Sequence, residues 1–136
     1  VYTLSFALEK LPATRLTFWQ IGTDLGLLNS PVALTSLVLA PGERADVLVD
    51  FSTVVNSKHG KVIMMNSANT PFPNGLPPVA GTTDRVMAFS VTKPLGFFGF
   101  SLEVCRDIDN FFTITFIGFH GNQVNDTLKI SFFAHW

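Results

Sequence analysis

The sequence predicts an all-β fold, a sandwich of two sheets. Three observations predict it. Short segments alternate apolar and polar residues one after another along the chain, turn dipeptides separate them, and no window sustains a helical period. Tyr2, Leu4, Phe6 and Leu8 alternate with Thr3, Ser5 and Ala7, the period-two pattern of a strand with one buried face. Residues 16–21 make a second strand, which ends at the turn-like Gly22-Thr23-Asp24-Leu25-Gly26. A third covers residues 34–39 and stops at Pro41-Gly42, a strong turn dipeptide. Residues 45–51 put Val47, Val49 and Phe51 on one face and Asp46 and Asp50 on the other, and residues 61–66 form a fifth strand. A proline-rich stretch over residues 70–81 then interrupts the pattern, because proline cannot donate to a ladder. Residues 85–92 resume it, with Met87, Phe89 and Val91 on one side.

The composition changes after Lys93-Pro94-Leu95. Nine of the 14 phenylalanines lie between Phe97 and Phe133. Phe112, Ile114 and Phe116 share one face, Leu128, Ile130 and Phe132 share another, and residues 120–126 supply a polar loop between them. This pattern predicts a β-hairpin. It is equally the signature of a shifted frame or of read-through into AT-rich DNA, whose codons favour many of the same residues as strands do. Both readings of residues 96–136 stay open at this point.

Composition bounds the function. A chain of 136 residues is the size of one domain and can bury a real core. With 47% hydrophobic and 14% charged residues, it is expected to pack against something else or to aggregate. The net charge of −1 and the absence of a basic block argue against nucleic acid as a partner. No apolar run is long enough for a membrane span, so no membrane partner is expected. The single cysteine, Cys105, cannot form an internal disulfide, and one thiol does not report the redox compartment. The chain opens at Val1 with no charged-then-apolar leader, and the expectation is that the native start lies upstream.

Residues 18–52 read FWQIGTDLGLLNSPVALTSLVLAPGERADVLVDFS. This stretch resembles the second domain of bacterial three-domain multicopper oxidases, the group that includes spore-coat laccases and bilirubin oxidases. In that family an Ile-Gly-(Ser/Thr)-Asp-Gly-Gly-Leu-Leu turn precedes a strand. An Ala-Pro-(Gly/Ala)-Glu-Arg corner follows, then an apolar strand ending near Asp-Phe. Here the corner is Ala40, Pro41, Gly42, Glu43 and Arg44, and the strand ends at Asp50-Phe51. A second similar block contains Asn66-Ser67-Ala68, Pro71-Phe72-Pro73-Asn74-Gly75, residues 82–89 (TTDRVMAF) and residues 91–95 (VTKPL). The likeness covers about residues 1–95, which it implies are a middle cupredoxin-like domain, an incomplete Greek-key β-sandwich. It cannot be traced into residues 96–136. One departure stands out: Leu25 precedes Gly26 where the family has Gly-Gly. If the first of those glycines takes positive φ, a leucine there is strained unless the turn is rebuilt.

Read without the family, the corner is a surface bend. Pro41 presets φ, Gly42 permits the bend, and Glu43 and Arg44 face solvent or pair. Arg44 and Asp50 are alternatively placed to bind neighbouring domains, although surface ion pairs usually contribute little.

The resemblance implies copper in a parent enzyme, with no copper ligand in this chain. The family's blue-copper site uses a Cys and two His, often with a weak axial Met. Its trinuclear cluster is held by His-x-His pairs, and all these ligands lie in the first and third domains. Consistent with that, His59, His120 and His135 are scattered and no His-x-His occurs. Cys105 is flanked by Val104 and Arg106, its next histidine is His120, and no Met follows. Cys105 therefore reads as a small apolar residue, and His59 as a histidine of an exposed polar loop. Asn125-Asp126-Thr127 matches a glycosylation sequon that a bacterial parent is not expected to use. No catalytic, cofactor-binding or metal-binding residue is assigned.

The expected function is that of a copper-free bridging domain, whose partners are the flanking cupredoxin domains of the same chain. Their joint enzyme would oxidise a small phenolic donor and reduce dioxygen to water, in an extracytoplasmic or spore-coat location implied by the resemblance. The alternatives are a stand-alone copperless binding or structural module, or a truncated fragment without function.

Overall fold

A computed structural model describes residues 1–51, 54, 58 and 60–90 in full, together with the backbone of residues 91, 100–103, 112–113 and 127–133. Among the described residues eleven strands run in chain order: β1 (Tyr2–Leu8), β2 (Leu11–Leu16), β3 (Phe18–Thr23), β4 (Gly26–Leu34), β5 (Leu37–Leu39), β6 (Arg44–Asp50), β7 (Val62–Asn66), β8 (Arg85–Val91), β9 (Phe100–Glu103), β10 (Phe112–Thr113) and β11 (Thr127–Phe133). They form two sheets in the orders β2-β1-β7-β8-β9 and β10-β11-β6-β3-β4, with β5 also paired to β1. Every pairing is antiparallel. The chain is an all-β sandwich of the kind expected, consistent with a cupredoxin-like fold.

Phenylalanines hold the sheets together. Phe6 of β1 meets Phe18 of β3 edge-to-face, with ring centroids 5.2 Å apart, and so bridges the two sheets. Phe6 also lies 6.0 Å from Phe89 of β8, which in turn lies 5.3 Å from Phe51, just past β6. All four rings are essentially removed from solvent, and Val47, Val49, Val62, Met64 and Met87 fill the space around them. These residues are the inward positions of the alternating segments, which is why β1, β6, β7 and β8 follow the predicted pattern.

The outward positions differ from expectation. β1 was predicted to have one wet face, yet Ser5 and Ala7 are buried along with Leu4, Phe6 and Leu8. Ala7, Ile63 and Ala88 sit side by side in one register row, and all three are buried.

The missed elements lie at sheet edges. β2 carries Pro12 and β4 carries Pro31, and both strands are largely exposed. An edge strand has one row of backbone groups free of ladder bonds, so it tolerates proline and needs no apolar alternation. The segment predicted as one strand over residues 34–39 is divided between the end of β4 and the short β5. The strand predicted from residue 16 begins instead at Phe18, because Leu16 closes β2. Beyond residue 95, β9 pairs β8, β11 pairs β6, and Phe112 of β10 stands opposite Phe132 of β11. Ile114, Phe116 and the loop over residues 120–126 lie outside the described residues.

Candidate functional site

The two parts of the 18–52 motif meet in space. β3 and β6 are neighbours, with Thr23 opposite Ala45, so the turn after β3 lies beside the corner before β6. Arg44 donates twice to the same carboxylate oxygen, Oδ1 of Asp24: from its backbone N–H at 3.0 Å and from Nε at 2.9 Å. Its Nη2 reaches the Asp24 carbonyl at 3.4 Å. The Arg44 guanidinium hydrogen bond holds the Asp24 carboxyl below the usual carboxylate range; desolvation opposes it, and the backbone bond and the positive charge of Arg44 add to the lowering. Both side chains remain substantially exposed.

The corner closes on itself in the same way. Gly42 has φ +81°, Glu43 donates its N–H to the Ala40 carbonyl at 3.1 Å, and Glu43 Oε2 accepts the Ala40 N–H at 2.7 Å. Glu43 and Arg44 thus both pair, within an exposed surface bend. In the turn after β3 the positive φ of +116° belongs to Gly26, and Leu25 stands fully exposed at the tip. The left-handed position therefore falls on the glycine that the sequence retains.

The second block organises the start of β1 and the loop that follows β7. Asn66, at the end of β7, accepts the N–H of Thr3 and of Ala68 on one oxygen, Oδ1, each at 3.0 Å. It thereby fixes the start of β1 and the entry to the proline-rich loop. Within that loop Thr70 and Leu76 exchange backbone hydrogen bonds of 2.9 and 3.0 Å, Gly75 donates to the Pro71 carbonyl at 2.7 Å, and Asn69 Nδ2 donates to the Pro73 carbonyl at 3.0 Å. A Cβ on Gly75 would run into the Thr70–Pro71 backbone. The loop is tightly tied, yet it turns Phe72, Leu76 and Val79 outward. Sequence reasoning missed the roles of Asn66, Asp24 and Gly75. The motif blocks contained all three, but strand pairing is what brings Thr3 to Asn66 and Arg44 to Asp24, and the fold-back of the loop is what brings Thr70 and Pro71 to Gly75.

His59, His120, His135, Cys105 and Asn125 lie outside the described residues. Among the described residues no three His, Cys, Asp or Glu side chains are grouped to hold a metal ion. No copper site can be built from them, and no step of copper chemistry is assigned to this chain. Among them, too, no helix is long and apolar enough to cross a membrane.

The chain is similar to several curated proteins. It is 44% identical over 77 residues to Multicopper oxidase LPR1 homolog 3 of rice, covering 57% of this chain and 14% of the rice protein. It is 41% identical over 78 residues to a laccase of Bacillus subtilis, covering 57% of this chain and 14% of the laccase. A shorter stretch of 39 residues is 64% identical to Cell division protein FtsP of Xenorhabdus nematophila, covering 29% of this chain and 8% of that protein. The chain therefore spans far less than two thirds of these relatives. No family model matches it. Over somewhat more than half of its own length, the chain is similar to multicopper oxidases and laccases.

Proposed function

We propose that this chain is the copper-free middle domain of a laccase-like multicopper oxidase, and that it bridges two flanking cupredoxin domains. The observation that carries the reading is the 77-residue match to a named multicopper oxidase, in a chain whose two-sheet sandwich suits that role. In the parent, copper bound to the neighbouring domains would take electrons from a phenolic donor and pass them to dioxygen. The bridging domain contributes rigidity. Its inter-sheet phenylalanine core and the Asp24–Arg44 clasp fix the surfaces on which neighbours rest. Arg44 and Asp50 are the charged positions assigned to contact those neighbours.

The proline-rich loop is assigned one wall of the donor cleft, since loops on a rigid scaffold commonly carry specificity. Its tied backbone and outward Phe72, Leu76 and Val79 support this role. Two measurements on the parent enzyme test the reading. Copper-dependent oxygen uptake with a phenolic donor is expected, and a copper-loaded parent that consumes no oxygen refutes the oxidase assignment. Replacing residues 70–81 with a short Gly-Ser linker is expected to change donor preference. Unchanged kinetics would remove the loop from the cleft.

A second reading has one observation in its favour. The match to a protein named for cell division suits a stand-alone copperless module that binds another protein. Such a module needs no oxygen uptake in any context, so the first measurement separates the two.

A further inference from the structure

The proline-rich loop contains Asn74-Gly75, the dipeptide in which an asparagine side chain is attacked most easily by the following backbone nitrogen. In that reaction the Gly75 nitrogen bonds to Cγ of Asn74 and the Cγ–Nδ2 bond breaks. Ammonia leaves with the proton of the Gly75 amide, forming a five-membered imide. Water then opens the ring at either carbonyl and yields aspartate or isoaspartate. No oxidant or enzyme is required. Asn74 is exposed, so water and base can reach it.

The loop withholds the nucleophile. The Gly75 N–H is committed to the Pro71 carbonyl at 2.7 Å, and the two Thr70–Leu76 hydrogen bonds close the backbone around it. Gly75 is also pressed so closely against the Thr70–Pro71 backbone that even a Cβ has no room. To reach Cγ of Asn74, its nitrogen must leave that bond and the peptide plane must turn, which the closed loop forbids.

We infer that Asn74 is a latent self-modification site, guarded while the loop is closed and converted to aspartate or isoaspartate when it opens. The conversion runs one way. Isoaspartate adds a carbon to the main chain between positions 74 and 75 and moves Gly75 away from the Pro71 carbonyl. The inference rests on loop geometry alone and is independent of the oxidase reading.

The test follows the appearance of isoaspartate at position 74 by peptide mass spectrometry. The 136-residue chain is held at mildly alkaline pH, once folded and once unfolded in urea at matched pH. Hydrogen exchange at the Gly75 amide is measured on the folded sample. The expected result is a folded-state rate at least about tenfold below the unfolded rate, with the Gly75 amide protected, as closure by local hydrogen bonds requires. Equal rates in the two samples, or an unprotected Gly75 amide, would overturn the inference.

Discussion

Phe6 offers the most direct test of how the sandwich is held together. Its ring is fully buried and touches Phe18 in the opposite sheet and Phe89 in its own. Phe6→Ala removes an entire ring between two sheets whose strands are each pinned by a ladder, so the site can collapse only in part. Loss of transfer free energy and the residual cavity together give a cost of about 3–5 kcal/mol. That is a large share of the roughly 5–15 kcal/mol by which a domain is stable. Urea unfolding followed by tryptophan fluorescence measures it. A double-mutant cycle with Phe18→Ala should then return a coupling of about 0.5–1.5 kcal/mol for the edge-to-face pair. The exposed Phe72→Ala serves as the contrast and should change stability by less than about 0.5 kcal/mol. If Phe6→Ala costs under about 1 kcal/mol, the phenylalanine chain is not what joins the sheets, and the reasoning fails.

Three further outcomes follow from the same geometry. Asn66→Ala strips two backbone donors, Thr3 N–H and Ala68 N–H, of their shared acceptor, and is expected to cost about 1–3 kcal/mol in urea unfolding. Gly75→Ala forces a Cβ into the Thr70–Pro71 backbone, so hydrogen exchange should show the Thr70 and Leu76 amides deprotected while the β6 and β8 amides stay protected. Asp24→Asn weakens the clasp with Arg44 by less than Asn66→Ala weakens the fold, because the pair is exposed. The Asp24 carboxyl has a lowered pKa in the folded chain, so its contribution is full above the ordinary carboxylate range and disappears as pH falls through the folded value. The stability gap between the native chain and Asp24→Asn should therefore close on acidification; a gap that widens in acid contradicts the pairing.

The central strands were legible because their inward positions alternate without interruption. Val47 and Val49 of β6, and Met87 and Phe89 of β8, needed only a period of two to be assigned to the core. β2 and β4 were not legible, since an exposed edge imposes no alternation and admits Pro12 and Pro31. Burial of Ser5 and Ala7 was also beyond the pattern, because small and polar residues mark an outer face until something is seen to cover it. The site was half legible. The turn at Asp24 and the corner at Arg44 stood out as motif pieces, but their bond spans 20 residues and depends on β3 lying beside β6. Gly75 carried no signal beyond its place in a turn, since what excludes a side chain there is the Thr70–Pro71 backbone folding back on it.

The central claim is that this chain bridges the copper-binding domains of a larger oxidase. The measurement that tests it most directly is to sequence the DNA on both sides of the reading frame and translate it in all frames. The account predicts His-x-His motifs upstream and a His-Cys-His motif downstream. An in-frame start close to Val1 and a genuine stop after Trp136, with no such motifs on either side, would contradict it and leave a copperless module in its place.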